Sequence, residues 1–147
     1  AGELGTCPAS VDGVVVPDST WTTDRGELPR GARLRLHFDG GRLVEIETRE
    51  KDVLDALRAH VDSDANGRRV GQIGFGTNVA VVTPIGSLLQ DQKMPGIHLS
   101  LGHPFGELTG ATWTSAVEVP VLIRRPDVSV DGTVLMVRGR YTTGILG

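Results

Sequence analysis

Hydrophobic and polar residues alternate with a period of two along much of the chain, which is the pattern of half-buried β-strands. The segment 34–38 alternates leucine or phenylalanine with arginine or histidine, and the segment 42–47 alternates aliphatic residues with glutamate. Asp39-Gly40-Gly41 lies between them and suits a tight turn that tolerates positive φ. The pattern therefore predicts a β-hairpin in which Val44 and Ile46 face the core.

Similar turn and strand signals recur elsewhere. Asp-Gly pairs stand beside the aliphatic runs at 14–16 and 134–137, and aliphatic residues alternate with polar ones at 97–101 and 117–123. Turn residues between short aliphatic strands are typical of antiparallel sheets. The sequence therefore predicts a mainly antiparallel β architecture, arranged as a barrel or a sandwich.

One segment has a helical period instead. Within residues 50–61, Val53, Leu54, Leu57 and Val61 are spaced so that they share one face of a helix. A second, shorter helix is predicted at 87–93. Residues 102–114, between the strands predicted at 97–101 and 117–123, are predicted to be a long loop. The expected class is α+β, with one packed helix and a second short one.

Length and charge limit the function classes. The chain has 147 residues, which suits a single domain, and its formal net charge is −3. Its densest basic spots, at Arg30 to Arg35, Arg68-Arg69 and Arg124-Arg125, lie beside acidic residues or inside strand patterns, so we interpret them as solvated faces. No run reaches the roughly 18 apolar residues of a membrane span, and no basic segment followed by an apolar one, the pattern of a secretory signal, is visible in the sequence. We therefore expect a cytoplasmic protein that binds neither nucleic acid nor membrane.

Three polar residues are candidates for chemistry. His98 and Glu118 lie on the polar faces of two predicted strands, and His103 lies in the loop between them. Two imidazoles and one carboxylate can form a facial metal site that leaves positions open for substrate. The alternative is that these side chains only face solvent. Cys7 has no cysteine partner, which excludes an internal disulfide.

The order of several motifs resembles the C-terminal domain of the aminopeptidase T family, which are thermophilic two-metal aminopeptidases. The resemblance covers nearly the whole chain. It rests on the opening Ala1–Pro8 with the following Asp12-Gly13, on the hairpin Leu36–Ile46, on Arg69–Asn78, on Gly86–Lys93 with Gly96–Gly102, and on the terminal segment Val128–Tyr141.

The resemblance implies a metal-dependent hydrolase that cleaves N-terminal residues or a related amide bond through metal-bound water. Glu3 and His98 match metal ligands, and Glu118 falls at a downstream ligand position. Gln72 stands where the family has a second glutamate, and Pro120 stands where it has an aspartate. Glu3 and Gln72 thus occupy catalytic positions, but an amide cannot accept a proton as a carboxylate does. The implied cofactor is zinc, cobalt or manganese, and the implied substrate is a peptide or a small molecule.

Two alternatives follow from the eroded ligand set. Two nearby dications repel each other, so losing two anionic ligands disfavours the second metal first. The family has a non-haem iron dioxygenase relative that opens 2,5-dihydroxypyridine rings, so a mononuclear iron enzyme using His98, His103 and Glu118 is one alternative. A non-catalytic domain for assembly or small-ligand binding is the other. The resemblance also implies a homo-oligomer and an additional N-terminal domain, which is absent from this sequence.

Overall fold

Short antiparallel strands make up most of the described structure. The computed structural model describes residues 2–22 and 25–142. The strands are β1 (Glu3–Thr6), β2 (Gly13–Val15), β3 (Ser19–Thr22), β4 (Gly26–Glu27), β5 (Arg35–Asp39), β6 (Arg42–Glu47), β7 (Val70–Gly76), β8 (Gly96–Gly102), β9 (Glu118–Ile123), β10 (Val128–Val130), β11 (Thr133–Val137) and β12 (Arg140–Tyr141). The helices are α1 (Lys51–Val61), α2 (Leu88–Asp91) and α3 (Gly106–Thr109), and a 3-10 turn spans Arg30–Ala32.

The largest sheet has six strands in the order β1-β7-β8-β9-β3-β4, and every neighbouring pair is antiparallel. Two three-stranded sheets, β2-β5-β6 and β10-β11-β12, accompany it. The α+β class is confirmed. Within the described residues the outer strands β1 and β4 do not pair with each other, so the arrangement is layered and is not a closed barrel.

The hydrophobic core lies between the six-stranded sheet on one side and the β2-β5-β6 sheet with α1 on the other. Leu36 of β5, Leu57 of α1, and Leu101 and Val119 of the large sheet are all fully buried in one cluster. Because alternate residues of a strand point to opposite faces, the face of β8 and β9 that carries Leu101 and Val119 is the core face.

The predicted hairpin is confirmed, with one correction. Gly40 and Gly41 both have positive φ, as a two-residue type I′ turn requires. Val44 was expected in the core but is 57% exposed, whereas Leu43 is buried. A register shift opposite the 37–38 step of β5 makes Val44 an extra residue in β6, so Leu43 rather than Val44 faces inward, while Ile46 is buried as predicted.

The helix predictions are confirmed at both places. The helix expected at 50–61 is α1, with Val53, Leu57 and Val61 buried, and the shorter one is α2. The predicted loop at 102–114 instead contains α3, which begins after Phe105 in the left-handed conformation. No helix in the described ranges is both long and apolar enough to cross a membrane.

Candidate metal-binding site

His98 and Glu3 lie together on the face of the six-stranded sheet that points away from the core. His98 Nε2 is 3.5 Å from Glu3 Oε2, and only 5% of His98 is exposed. Strand β7 lies between β1 and β8, and its Gly74 pairs directly with His98. The sheet register therefore brings together two side chains that are far apart in the sequence.

Gly74 makes room for this pair. A Cβ atom added at Gly74 would overlap Nε2 of His98 and the carbonyl oxygen of Leu4 on β1. Glycine is therefore required where the histidine ring crosses the backbone of β7.

Burial decides the charge of the histidine. Desolvation lowers the pKa of His98 below its ordinary value of 6.5, and the nearby Glu3 carboxylate opposes that shift only in part. At neutral pH the imidazole is therefore uncharged, so one ring nitrogen carries a free lone pair. Its other nitrogen, Nδ1, is buried and finds no hydrogen-bond partner among residues 2–22 and 25–142.

Other polar side chains surround the pair. Gln92 Nε2 donates a hydrogen bond to Glu3 Oε1 at 3.3 Å, a contact that sequence reasoning missed because nothing in the sequence relates α2 to β1. Gln72 is half-buried. Its side chain lies against β1, because a Cβ added at Gly5 would be 2.6 Å from Gln72 Nε2. Ser100, paired with Gln72 across β7 and β8, is buried on the same face.

His103 and Glu118 lie at the opposite end of β8. Glu118 pairs with Gly102, whereas the residue opposite His98 on β9 is Leu122. Leu122 and Glu118 are four positions apart on β9, which is about 13 Å of strand. His103 Nδ1 accepts a hydrogen bond from the backbone N–H of Phe105 at 3.0 Å. The structure therefore brings His98 together with Glu3, but not with His103 or Glu118.

Glu3 and His98 supply only part of the ligand set that a metal site needs. A carboxylate and a neutral imidazole are suitable ligands for a divalent cation, but catalytic zinc usually has three protein ligands. In the described part of the chain, no group of three or more His, Cys, Asp or Glu side chains is placed to hold a metal. Metal-bound histidine also usually donates its other N–H to an acceptor, and Nδ1 of His98 has none there. The pair suits one loosely held cation and does not suit a two-metal centre.

Comparison with known proteins identifies the fold. No protein-family model matches the sequence, and a search of curated proteins found no match. AmpT from Thermus thermophilus aligns over 97% of this chain with a TM-score of 0.71 and 23% identity. The 2,5-dihydroxypyridine dioxygenase from Pseudomonas putida KT2440 aligns over 98% with a TM-score of 0.69 and 16% identity.

The chain is similar to these two proteins over less than half of their length, 40% of AmpT and 44% of the dioxygenase. At such low identity the likeness shows a distant structural relationship in the fold alone. The activity of the chain must therefore be argued from its own site.

Proposed function

We propose that this chain is a metal-dependent hydrolase domain of the aminopeptidase kind that binds one divalent cation through Glu3 and His98. The observation that carries the proposal is the 3.5 Å approach of His98 Nε2 to Glu3 Oε2. The fold shared with an aminopeptidase supports the reaction class. Zinc, cobalt or manganese suits the mixed nitrogen and oxygen donors, and the fold shared with a dioxygenase keeps iron as the alternative cation.

The residues of the pair have separate tasks. His98 is kept neutral by burial and offers a lone pair. Gln92 holds Oε1 of Glu3, which leaves Oε2 facing the histidine. A cation bound there would act as a Lewis acid on the carbonyl of a peptide or amide substrate. Gln72 cannot accept a proton, so its part is to orient polar groups by hydrogen bonding.

A single cation is proposed because, among residues 2–22 and 25–142, no group of acidic ligands large enough for a second cation lies beside the pair. Two dications about 3.5–4 Å apart need several anionic ligands to offset their repulsion. Gln72 is neutral, and Leu122 rather than an acid faces His98 from β9. The prediction that His103 and Glu118 bind metal stays untested, and neither residue is part of the proposed Glu3–His98 cation site.

The same two observations favour a second candidate, a non-catalytic domain for assembly or small-ligand binding. Leu122 is 3% exposed beside His98, so an apolar side chain fills a position where a ligand would complete the site. This candidate predicts no cation affinity above that of an ordinary exposed carboxylate.

Metal titration of the full chain tests the proposal. Isothermal titration calorimetry of metal-free protein with Zn²⁺, Co²⁺, Mn²⁺ and anaerobic Fe²⁺ is expected to give one equivalent. Glu3→Gln and His98→Ala should each weaken binding about ten-fold or more, as loss of one of two protein ligands should. Glu118→Gln and His103→Gln are matched controls at the far end of β8 and should bind as the unaltered chain does.

The outcomes separate the candidates. Two equivalents, lost in Glu118→Gln, would overturn the single-cation proposal in favour of a two-metal centre. No binding at saturating metal would leave the non-catalytic candidate. Hydrolysis of a leucine amide that disappears in His98→Ala but persists in His103→Gln would establish the reaction class. A second equivalent gained by Gln72→Glu would show that the neutral amide limits the site to one cation.

A further inference from the structure

A cavity of about 880 Å³ lies at the end of the six-stranded sheet where β9 finishes. Four arginines line it, Arg124, Arg125, Arg138 and Arg140, together with one carboxylate, Asp18. The chain as a whole is acidic, with a net charge of −3. The positive charge collected at this arginine cavity is therefore a local feature and does not follow from composition.

The terminal hairpin builds one side of the arginine cavity. Arg138 and Arg140 flank Gly139 in the turn between β11 and β12, and the Gly139 N–H donates to Pro126 O at 2.9 Å. A Cβ at Gly139 would overlap the carbonyl oxygen of Arg124, so the turn lies directly against the end of β9. Tyr141 Oη donates to Gly76 O at 2.7 Å and fixes the hairpin to β7. These contacts hold the turn with Arg138 and Arg140 next to Arg124 at the end of β9.

Arg124 differs from the arginines elsewhere in the molecule. The guanidinium groups of Arg30 and Arg68 bond the carboxylates of Glu27 and Asp62. Nε and Nη2 of Arg124 are buried and have no hydrogen-bond partner in the described ranges. Buried donors that are left unbonded cost free energy, and charged donors cost most. The sequence-based interpretation of Arg124-Arg125 as a solvated face therefore does not describe these two nitrogens, although Arg124 as a residue is only half-buried.

The nearby carboxylates are used by the backbone. Asp18 Oδ2 accepts the backbone N–H of Arg124 at 2.8 Å, and Asp127 Oδ1 accepts that of Arg138 at 2.6 Å. These bonds position the strand end and the turn. Neither carboxylate satisfies Nε or Nη2 of Arg124, and these donors have no acceptor among residues 2–22 and 25–142, so they have hydrogen-bonding capacity left for an external acceptor.

Apolar residues also line the arginine cavity. Val79, Val82, Met94 and Pro95 are among them, and Val82 is 80% exposed. A volume of 880 Å³ is within the range of cavities that hold small molecules. A lining that combines arginines with apolar side chains suits a ligand that carries an anionic group on an apolar body.

We propose that the arginine cavity binds a small molecule bearing an oxyanion, either carboxylate or phosphate, on an apolar body. Guanidinium groups bond such oxyanions in a bidentate manner. The proposal requires the Arg124 side chain to turn toward the cavity when the ligand enters, because its Nε and Nη2 are closed to solvent. These two nitrogens lose no hydrogen bond when it does. The proposal is independent of the Glu3–His98 cation site.

Calorimetry with three probes tests this proposal on the full chain in chelator. Inorganic phosphate reports the anion alone, phenyl phosphate adds an apolar body, and phenylacetate replaces phosphate by carboxylate on a similar body. Phenyl phosphate, phenylacetate or both should bind more tightly than inorganic phosphate, and raised ionic strength should weaken all binding. Arg124→Gln should weaken binding about ten-fold or more, because charge-assisted bonds are lost.

Controls separate the possible outcomes. Arg140→Gln removes an exposed cavity arginine without disturbing the core and should also weaken binding, whereas Arg49→Gln removes an exposed arginine elsewhere and should not. Val82→Ser should reduce the advantage of the phenyl probes only. His98→Ala should bind all three probes normally, which distinguishes this site from the cation site. Absence of binding by every probe, or equal binding by Arg124→Gln and the unaltered chain, would overturn the proposal.

Discussion

One histidine lies near each end of strand β8, His98 within the strand and His103 directly after it, and their surroundings differ. His98 is buried beside Glu3, with its Nδ1 unbonded among the described residues. His103 is half-exposed, and its Nδ1 accepts the Phe105 N–H while its own backbone N–H donates to Val117 O. The ring of His103 also packs edge-on against that of Phe105, with centroids 4.7 Å apart.

The difference shows which histidine has a buried ring nitrogen without a hydrogen-bond partner among the described residues, namely His98. The contacts of His103 close the turn into α3, so its role is explained by local structure. The contacts of His98 leave a buried polar atom unsatisfied, which structure alone does not explain. Functional candidates are therefore better ranked by what their neighbours leave unsatisfied than by residue type.

The largest expected effect comes from the packing that holds the His103 end. Leu101 faces the core and has no solvent-accessible surface, so Leu101→Ala should lower the free energy of unfolding by about 2–5 kcal/mol. Ile97, near the His98 end, is only half-buried, and Ile97→Ala should cost clearly less. Urea denaturation of both variants measures the difference. Equal losses would show that the two ends are packed alike and would break the comparison.

A smaller effect is expected at the His98 end. Gly74→Ala places a Cβ against His98 Nε2 and Leu4 O, and such overpacking typically costs about 1–3 kcal/mol. The pair with Glu3 should be displaced, so cation binding should fall as well. Combining Gly74→Ala with His98→Ala removes one of the two clashes, and a double-mutant cycle should therefore give a favourable coupling. Additive losses would indicate that the clash with Leu4 alone sets the cost.

Sequence patterns predict local structure well in this chain and long-range placement poorly. Alternation predicts β5 and β6, and the helical spacing predicts α1, because each depends on neighbouring residues. The bulge that turns Val44 outward is invisible to a pattern that assumes an unbroken period. The helix α3 depends on the left-handed conformation of Phe105, which residue type does not suggest.

The candidate site illustrates the same limit. His98 and Glu118 both stand on polar faces of adjacent strands, but the register of β8 on β9 decides whether they meet, and that register places Leu122 opposite His98. Glu3 was connected to His98 only by resemblance, since β1 reaches β8 across β7. The sequence alone places Arg124 on a solvated face, whereas in the fold the terminal hairpin lies against the backbone of Arg124 and two of its guanidinium nitrogens are buried.

The smallest expected effect concerns acid stability at the His103 end. Asp64 accepts hydrogen bonds from Ser115 Oγ at 2.8 Å and from the Ala116 N–H at 2.7 Å, and thereby fixes the loop that leads into β9. The bond from Ser115 is the main cause that holds the pKa of Asp64 below its ordinary value of 3.8.

Because the folded protein favours the ionised form of Asp64, its contribution to stability is present above pH 3.8 and is lost as the pH falls through the lower folded-state pKa. Asp64→Asn should therefore lower Tm at pH 7, and the gap to the unaltered chain should narrow below pH 3.8. Glu45→Gln, which removes an exposed charge on β6, is the control and should show no such convergence. Thermal denaturation of the three proteins from pH 7 to pH 2.5 provides the comparison. A Tm difference between Asp64→Asn and the unaltered chain that stays constant across that range would mean that Asp64 acts by packing and not through its charge. Charge would then contribute nothing to stability at this position near His103, in contrast to the Glu3–His98 pair.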